Sequence, residues 1–332
     1  MRRLASITLA FAVVTAGCSF GSGDETLTVY SGRSEDLIGP LIEQFEDETG
    51  IDVAVRYGGS AEIAATLLEE GGNSPADVVF TQDPASIGSV ALAGMLSRLP
   101  TEIVALVPEG LSDTDDRWVG VSGRARTVVF DTTRYEPSEL PDTEDGLTDP
   151  RWAGKVGIAP VNGSFLAFVA AKILLDGEDA TLRWLEDMAA NVAPTYPSNS
   201  SIVSAVAAEQ LESGMVNHYY LLRLLIEQPD ATAANYFFPT ASAGSLVMPA
   251  GVGIIATTDN TEDAERFVEY LLSEEAQRYF ATETFEYPLL PGIPADPRLP
   301  PIESIPTPDI DLSDLASVLD LATDLVAKAG LL

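Results

Sequence analysis

Leu27-Thr28-Val29-Tyr30, followed by Ser31-Gly32-Arg33-Ser34 and then by Leu37, Ile38, Leu41, Ile42 and Phe45, decides the fold class. The first four residues alternate as a strand does. The apolar residues after Ser34 recur at three- and four-residue spacing, which predicts a helix capped at Ser34 and closed by Gly50. The pattern repeats: Ile51 to Tyr57 reads as a strand, Gly58-Gly59-Ser60 opens a helix through Leu67 and Leu68, and Ala76-Asp77-Val78-Val79-Phe80 is a third strand. Strands alternating with helices predict an α/β protein with a mostly parallel sheet covered on both faces. The same unit returns at Lys155 to Ala159 (strand), Phe165 to Leu175 (helix) and Thr181 to Ala190 (helix), so two similar lobes are expected.

Two stretches read as crossings between the lobes: Val119 to Phe130, and Leu246 to Ile255. A chain that leaves a lobe and returns makes a hinged cleft. The expected division is 27–125 with about 250–300 in lobe 1, and 126–249 with about 301–332 in lobe 2. One helix is expected from Glu262 to Phe280, an extended proline-rich wrap from Pro288 to Pro308, and a last helix from Leu312 to Ala329.

The N-terminus reads as an address. Arg2 and Arg3 precede a short apolar run from Leu4 to Ala16 that ends in Val14-Thr15-Ala16-Gly17-Cys18. The run is too short for a membrane span of about 20 residues, and small residues precede the cysteine; residues 1–17 are read as an export signal with a lipobox. Cys18 is the single cysteine, and its acylation would anchor an extracytoplasmic protein to the cell membrane through a tether at 18–26. The alternative is a cleaved signal with an incidental cysteine, which Thr15 keeps open. A net charge of −33, with Lys155, Lys172 and Lys328 the only lysines, argues against a nucleic-acid partner. Acidity of that size maintains solubility in a saline exterior.

Ligands of open α/β sheets gather at the carboxyl ends of strands and at helix N-termini. Glu35 and Asp36 fall in a first helical turn, where carboxylates ordinarily complement the helix dipole. Gln82 and Asp83 follow the third strand, and Asn162-Gly163-Ser164 offers backbone N–H groups and a hydroxyl to an anion. Tyr219 and Tyr220 stand side by side before the apolar run Leu221, Leu222, Leu224, Leu225. Neighbours on a helix diverge by about 100°, so one core tyrosine beside one wet one is the plain reading, and two phenol oxygens gripping a hard cation is the sharp one.

In order along the chain, Val29-Tyr30-Ser31-Gly32-Arg33, Ser74-Pro75-Ala76-Asp77-Val78, Ser122-Gly123-Arg124-Ala125-Arg126, Asn162-Gly163-Ser164-Phe165, Asn199-Ser200, Asn217-His218-Tyr219-Tyr220 and Glu286-Tyr287-Pro288-Leu289 resemble the ferric-iron-binding extracellular receptors of ATP-driven (ABC) importers. The resemblance implies a two-lobed periplasmic-binding-protein fold and a monomer that hands iron to permease and ATPase subunits. It implies that Tyr219 and Tyr220 bind Fe3+ as phenolates. A synergistic phosphate or carbonate would be held by Asn162, Gly163, Ser164, Asn199 and Asn217 beside Arg124. The first lobe departs from the family: Ser34 replaces a frequent histidine, Glu35 replaces an occasional tyrosine, and Gln82 replaces an occasional glutamate. Glu35, then Asp83 and Gln82, are the remaining first-lobe metal candidates, and no ligand role passes to His218. A receptor of the same fold for an oxyanion, a polyamine or another small solute stays open. An enzyme is not expected, since neither a G-x-S-x-G elbow nor a P-loop occurs.

Overall fold

The computed structural model describes residues 26–191 and 193–332. The signal at 1–17, the lipidation reading of Cys18 and the tether before Thr26 lie outside the described residues. Among the described residues, no helix is long and apolar enough to cross a membrane.

The chain opens with β1 (Leu27–Ser31), α1 (Glu35–Thr49), β2 (Val53–Tyr57), α2 (Ser60–Glu70), β3 (Val78–Thr81) and α3 (Pro84–Leu92). β1 lies between β2 and β3 and runs parallel to both. Leu37, Ile38, Leu41, Ile42 and Phe45 of α1 are all buried, and Gly50 ends the helix in the left-handed region at φ 71°. Ser34 stands at the N-cap position, but its hydroxyl bonds Asp36 and caps no backbone N–H.

After the short α4 (Thr101–Val104) comes β4 (Val119–Asp131), thirteen residues buried throughout. Three helices, α5 (Gly163–Asp176), α6 (Glu178–Ala190) and α7 (Asn199–Ala207), follow β5 (Val156–Gly157). Then come β6 (Ser213–Asn217), α8 (Tyr219–Glu227), β7 (Ala233–Tyr236) and β8 (Val247–Ile254). The first half of β4 pairs with β8, Val119 opposite Val252 and Ala125 opposite Val247, and β8 pairs with β3. The second half of β4 pairs with β6 and β7, and β6 runs parallel to β5. The two stretches read as crossings are thus antiparallel neighbours, and β4 belongs to both halves of one sheet ordered β2-β1-β3-β8-β4-β6-β5. The sheet is mixed, because each half carries parallel outer strands and shares these antiparallel central ones.

The expected helix from Glu262 to Phe280 is two: α9 (Thr261–Leu271) and α10 (Glu274–Thr282). Ser273 accepts the Ala276 N–H and starts α10 afresh, with Glu274 and Glu275 in its first turn. β9 (Tyr287–Pro288) then pairs with β4, and the proline-rich wrap holds one 3-10 turn at Ile302–Ser304. The last helix also divides, into a 3-10 stretch at Leu312–Val318 and α11 (Leu319–Lys328). Leu312, Leu315, Leu325 and Val326 share a buried cluster with Ile87 and Val90 of α3 and with Phe165 and Phe168 of α5. This C-terminal segment therefore packs on helices of both halves.

Candidate functional site

β6 ends at Asn217 and α8 begins at Tyr219, so His218 is the joint between them. Its Nδ1 accepts the Ala125 N–H at 3.1 Å, which leaves Nε2 to carry the proton and donate to the Phe285 carbonyl at 2.8 Å. Burial pulls this histidine down to about 4, so it is neutral at ordinary pH. With both nitrogens spent, His218 has nothing to offer a metal and serves to fix the start of α8 against β4.

Tyr219 is fully buried and Tyr220 half-buried, which is the division that helical geometry leads one to expect. Yet the rings stack, with centroids 4.1 Å apart and planes 28° off parallel. Tyr219 Oη is buried without a hydrogen-bond partner. Burial pushes this phenol well above its usual range and the neighbouring Tyr220 adds to the rise, while Arg33 and Arg124 pull against it.

Three arginines surround the pair. Arg33 donates from both Nη atoms to Glu286, at 2.9 and 2.6 Å, and Arg124 Nε lies 3.9 Å from the same carboxylate. All three side chains are buried, and burial tends to raise Glu286, but Arg33 and Arg124 hold it below the usual carboxylate range. Arg126, two residues along β4 and therefore on the same strand face as Arg124, donates to Ser164 Oγ at 3.3 Å. Burial pulls Arg126 down to about 9, Tyr220 opposing and Arg124 reinforcing the fall. Arg33 Nε, Arg124 Nε and Nη1, and Arg126 Nε make no hydrogen bond. A buried donor left unspent costs about 1–3 kcal/mol, so this set suits an incoming acceptor with several oxygens.

Opposite lies the start of α5. Asn162 Oδ1 accepts the Ser164 N–H at 3.0 Å, the Ser164 hydroxyl at 2.6 Å and Asn199 Nδ2 at 3.3 Å. The Ser164 N–H expected to be free for an anion is thus taken by the helix's own cap. Asn199 Nδ2 also reaches Ser164 Oγ at 3.2 Å, and its buried Oδ1 is unpartnered. Asn217 is buried opposite Arg126 in the ladder. A Cβ on Gly163 would lie 3.2 Å from Asp83 Oδ2, so the two halves approach closely here.

The first-lobe candidates are placed less favourably. Glu35 is exposed on the first turn of α1. Asp83 is buried, and its two oxygens accept the Ser86 N–H at 2.8 Å and the Ser86 hydroxyl at 3.0 Å, capping α3. Burial pushes its carboxyl up. Gln82 donates to the Gly32 carbonyl at 2.7 Å. The structure therefore gathers Tyr219, Tyr220, Arg124, Asn162, Ser164 and Asn199, and adds Arg33, Arg126 and Glu286, to which sequence reasoning gave no role. The available signal was a pair of arginines at alternate positions in a strand that otherwise reads as buried. Away from this site, Glu144, Asp145 and Asp176 converge closely enough to share an ion, but Lys172 Nζ lies among them at 3.0, 2.6 and 2.7 Å. An ammonium already fills that role.

A family model described as bacterial extracellular solute-binding protein matches residues 73–313. The chain belongs to this family. The Fe(3+)-binding periplasmic protein of Serratia marcescens is 30% identical to this solute-binding protein over 98% of its length and 95% of the relative's. Iron uptake protein A1 of Synechocystis sp. is 32% identical over 92% and 87% of the two chains. Among solved structures, iron-bound HitA from Pseudomonas aeruginosa matches with a TM-score of 0.87 at 31% identity, covering 92% of this chain and 99% of the other. A Trichodesmium protein in complex with iron and citrate matches at 0.80 with 28% identity, covering 93% and 100%. Iron-bound HitA and the Trichodesmium protein share the two-lobed fold described above.

Proposed function

We propose that this solute-binding protein is an extracytoplasmic, lipid-anchored receptor for Fe3+ that delivers its cargo to the permease and ATPase subunits of an ABC importer. The observation that carries the reading is the stacked Tyr219–Tyr220 pair, one phenol buried without a partner, facing buried guanidinium groups. A buried hydroxyl with no hydrogen bond is a cost to the fold, and a hard cation that takes up phenolate oxygen would turn that cost into a ligand. The names of the relatives, an Fe(3+)-binding periplasmic protein and an iron uptake protein, support the same reading.

Two phenolates do not satisfy the coordination sphere of Fe3+. A synergistic phosphate or carbonate held between Arg124, Arg126, Asn199 and the Asn162–Ser164 turn would supply further oxygens and use the unspent N–H groups. Cys18 is the proposed point of anchorage. Addition of Fe3+ with phosphate or carbonate to purified protein should produce the orange-to-red band of phenolate-to-iron charge transfer. Tyr219→Phe and Tyr220→Phe should each remove or displace it. An oxyanion receptor of the same fold is the second reading, favoured by the arginines alone. A colourless titration in which oxyanion binds without metal would establish it in place of the first.

A further inference from the structure

We propose that Asp36 and Arg223 form a latch that holds the two lobes closed over the tyrosine pair. The inference rests on the ferric reading of that pair and adds how its cargo is retained.

Arg223 stands four residues beyond Tyr219 and three beyond Tyr220, hence one turn along the same face of α8. Its Nη2 donates to Asp36 Oδ2 at 2.8 Å, joining α8 to the first turn of α1 across 187 residues of chain. A carboxylate in a first turn is favoured by the helix dipole. Partial burial works against the charge on Asp36, but the Ser34 hydroxyl and Arg223 hold its carboxyl below the usual range. Next to it the Tyr279 phenol donates to the Leu37 carbonyl at 2.9 Å, bracing the same turn of α1.

The helix that carries the tyrosines is divided between the lobes. Tyr219 and Leu222 lie in one buried cluster with Leu37, Ile38 and Phe280, whereas Leu221 lies in another with Val203 and Val216. Opening the cleft separates α8 from α1, and the ion pair closes the outer end of that seam. A cavity of about 240 Å3 opens beside it, lined by Asp36, Ser200, Tyr220, Arg223 and Glu227, so water reaches Tyr220 past this contact. The first lobe has little other grip on a bound ion: Glu35 is exposed, and Gln82 and Asp83 are engaged with Gly32 and Ser86. Closure in this chain therefore leans on a contact between the lobes themselves, at the start of α1.

The test compares the wild type with Asp36→Asn, Arg223→Gln, the double variant and the charge exchange Asp36→Arg with Arg223→Asp. Iron release to an excess of competing chelator is followed at the phenolate band, at low and at high salt. An exposed ion pair supports an acceleration of about two- to fivefold in each single variant at low salt. The double variant should be no faster than either single one, the exchange should restore slow release, and high salt should erase the differences. Unchanged release in the single variants, or an exchange that stays fast at low salt, overturns the latch. Small-angle scattering of the metal-free proteins gives a readout independent of iron: the single variants should show a larger radius of gyration than the wild type and the exchange should not, and equal radii throughout overturn the proposal. A wild type that never develops the band defeats the ferric reading and leaves the scattering comparison to judge the latch.

Discussion

At the scale of single residues, the site is built from groups that a stability-minded fold would avoid. Tyr219 buries a hydroxyl with no partner, and removing an unsatisfied buried group is usually favourable. Tyr219→Phe should therefore stabilise the metal-free protein, by about 1 kcal/mol in denaturant melts, while lowering iron affinity by more than about 100-fold, beyond the loss expected of an outer-shell partner. A variant that lost stability and affinity together would mean the phenol is a structural group. His218 gives the opposite case, a buried group fully satisfied. In the unfolded chain it titrates near 6.5, while the fold holds it at about 4. As pH falls from about 6.5 the unfolded state takes up the proton first, so stability declines toward pH 4 and the loss is complete below it, for a total of about 3 kcal/mol. Glutamine can accept from Ala125 N–H and donate to Phe285 carbonyl as the imidazole does. His218→Gln should keep the fold and flatten the decline between about pH 6.5 and 5, above the range where most carboxylates titrate. This is the only histidine, so no other imidazole contributes there.

At the scale of elements, β6 and α8 form a lever whose setting depends on close packing. A Cβ on Gly214 would lie 2.2 Å from Ile202 Cγ2 of α7 and 3.1 Å from the Gly157 carbonyl. Gly214→Ala should cost about 1–3 kcal/mol by overpacking, and because β6 runs directly into His218 and the tyrosines, iron affinity should fall with it. Gly72→Ala, where nothing lies within 4 Å, is the control expected to change neither in parallel melts and titrations. The alternation of strand and helix through β1–α1–β2–α2–β3 was legible because each element has one apolar period and one terminator, as Gly50 ends α1. The break in the expected helix at 262–280 was legible too, in Ser273-Glu274-Glu275-Ala276, but the apolar period carries across it and hid the cap. The tyrosine pair declared itself by adjacency. Arg33 and Glu286 did not, since 253 residues separate the partners of that ion pair and no local period records it. The mixed pairing of β4 and β8 was hidden for the same reason, as register between distant strands is a property of the assembled sheet.

At the scale of the whole molecule, cargo uptake and proton balance are one equilibrium. The cleft holds Tyr219 protonated well above the usual phenol range, because burial penalises the phenolate and Tyr220 stands beside it. Fe3+ can take that oxygen as a ligand only by displacing its proton, and a Tyr220 ligand would have to give up its proton likewise. If both phenols ionise on loading, two protons leave for each ion bound, and affinity should rise by about 100-fold per pH unit and fall equally on acidification. On the proposed reading the buried arginines would set the sign of what remains: they would favour phenolate and anion, so a loaded cleft would tolerate negative ligands that an apolar cleft would reject. Loading should also stabilise the folded protein by mass action, and that gain should shrink as pH falls because fewer sites are filled. Titrations with buffered Fe3+ across a series of pH values, paired with proton release in unbuffered solution, check both counts. A slope of one proton, kept in Tyr220→Phe and lost in Tyr219→Phe, would assign the metal to the buried phenol alone; a slope of zero would remove phenolate binding from the account.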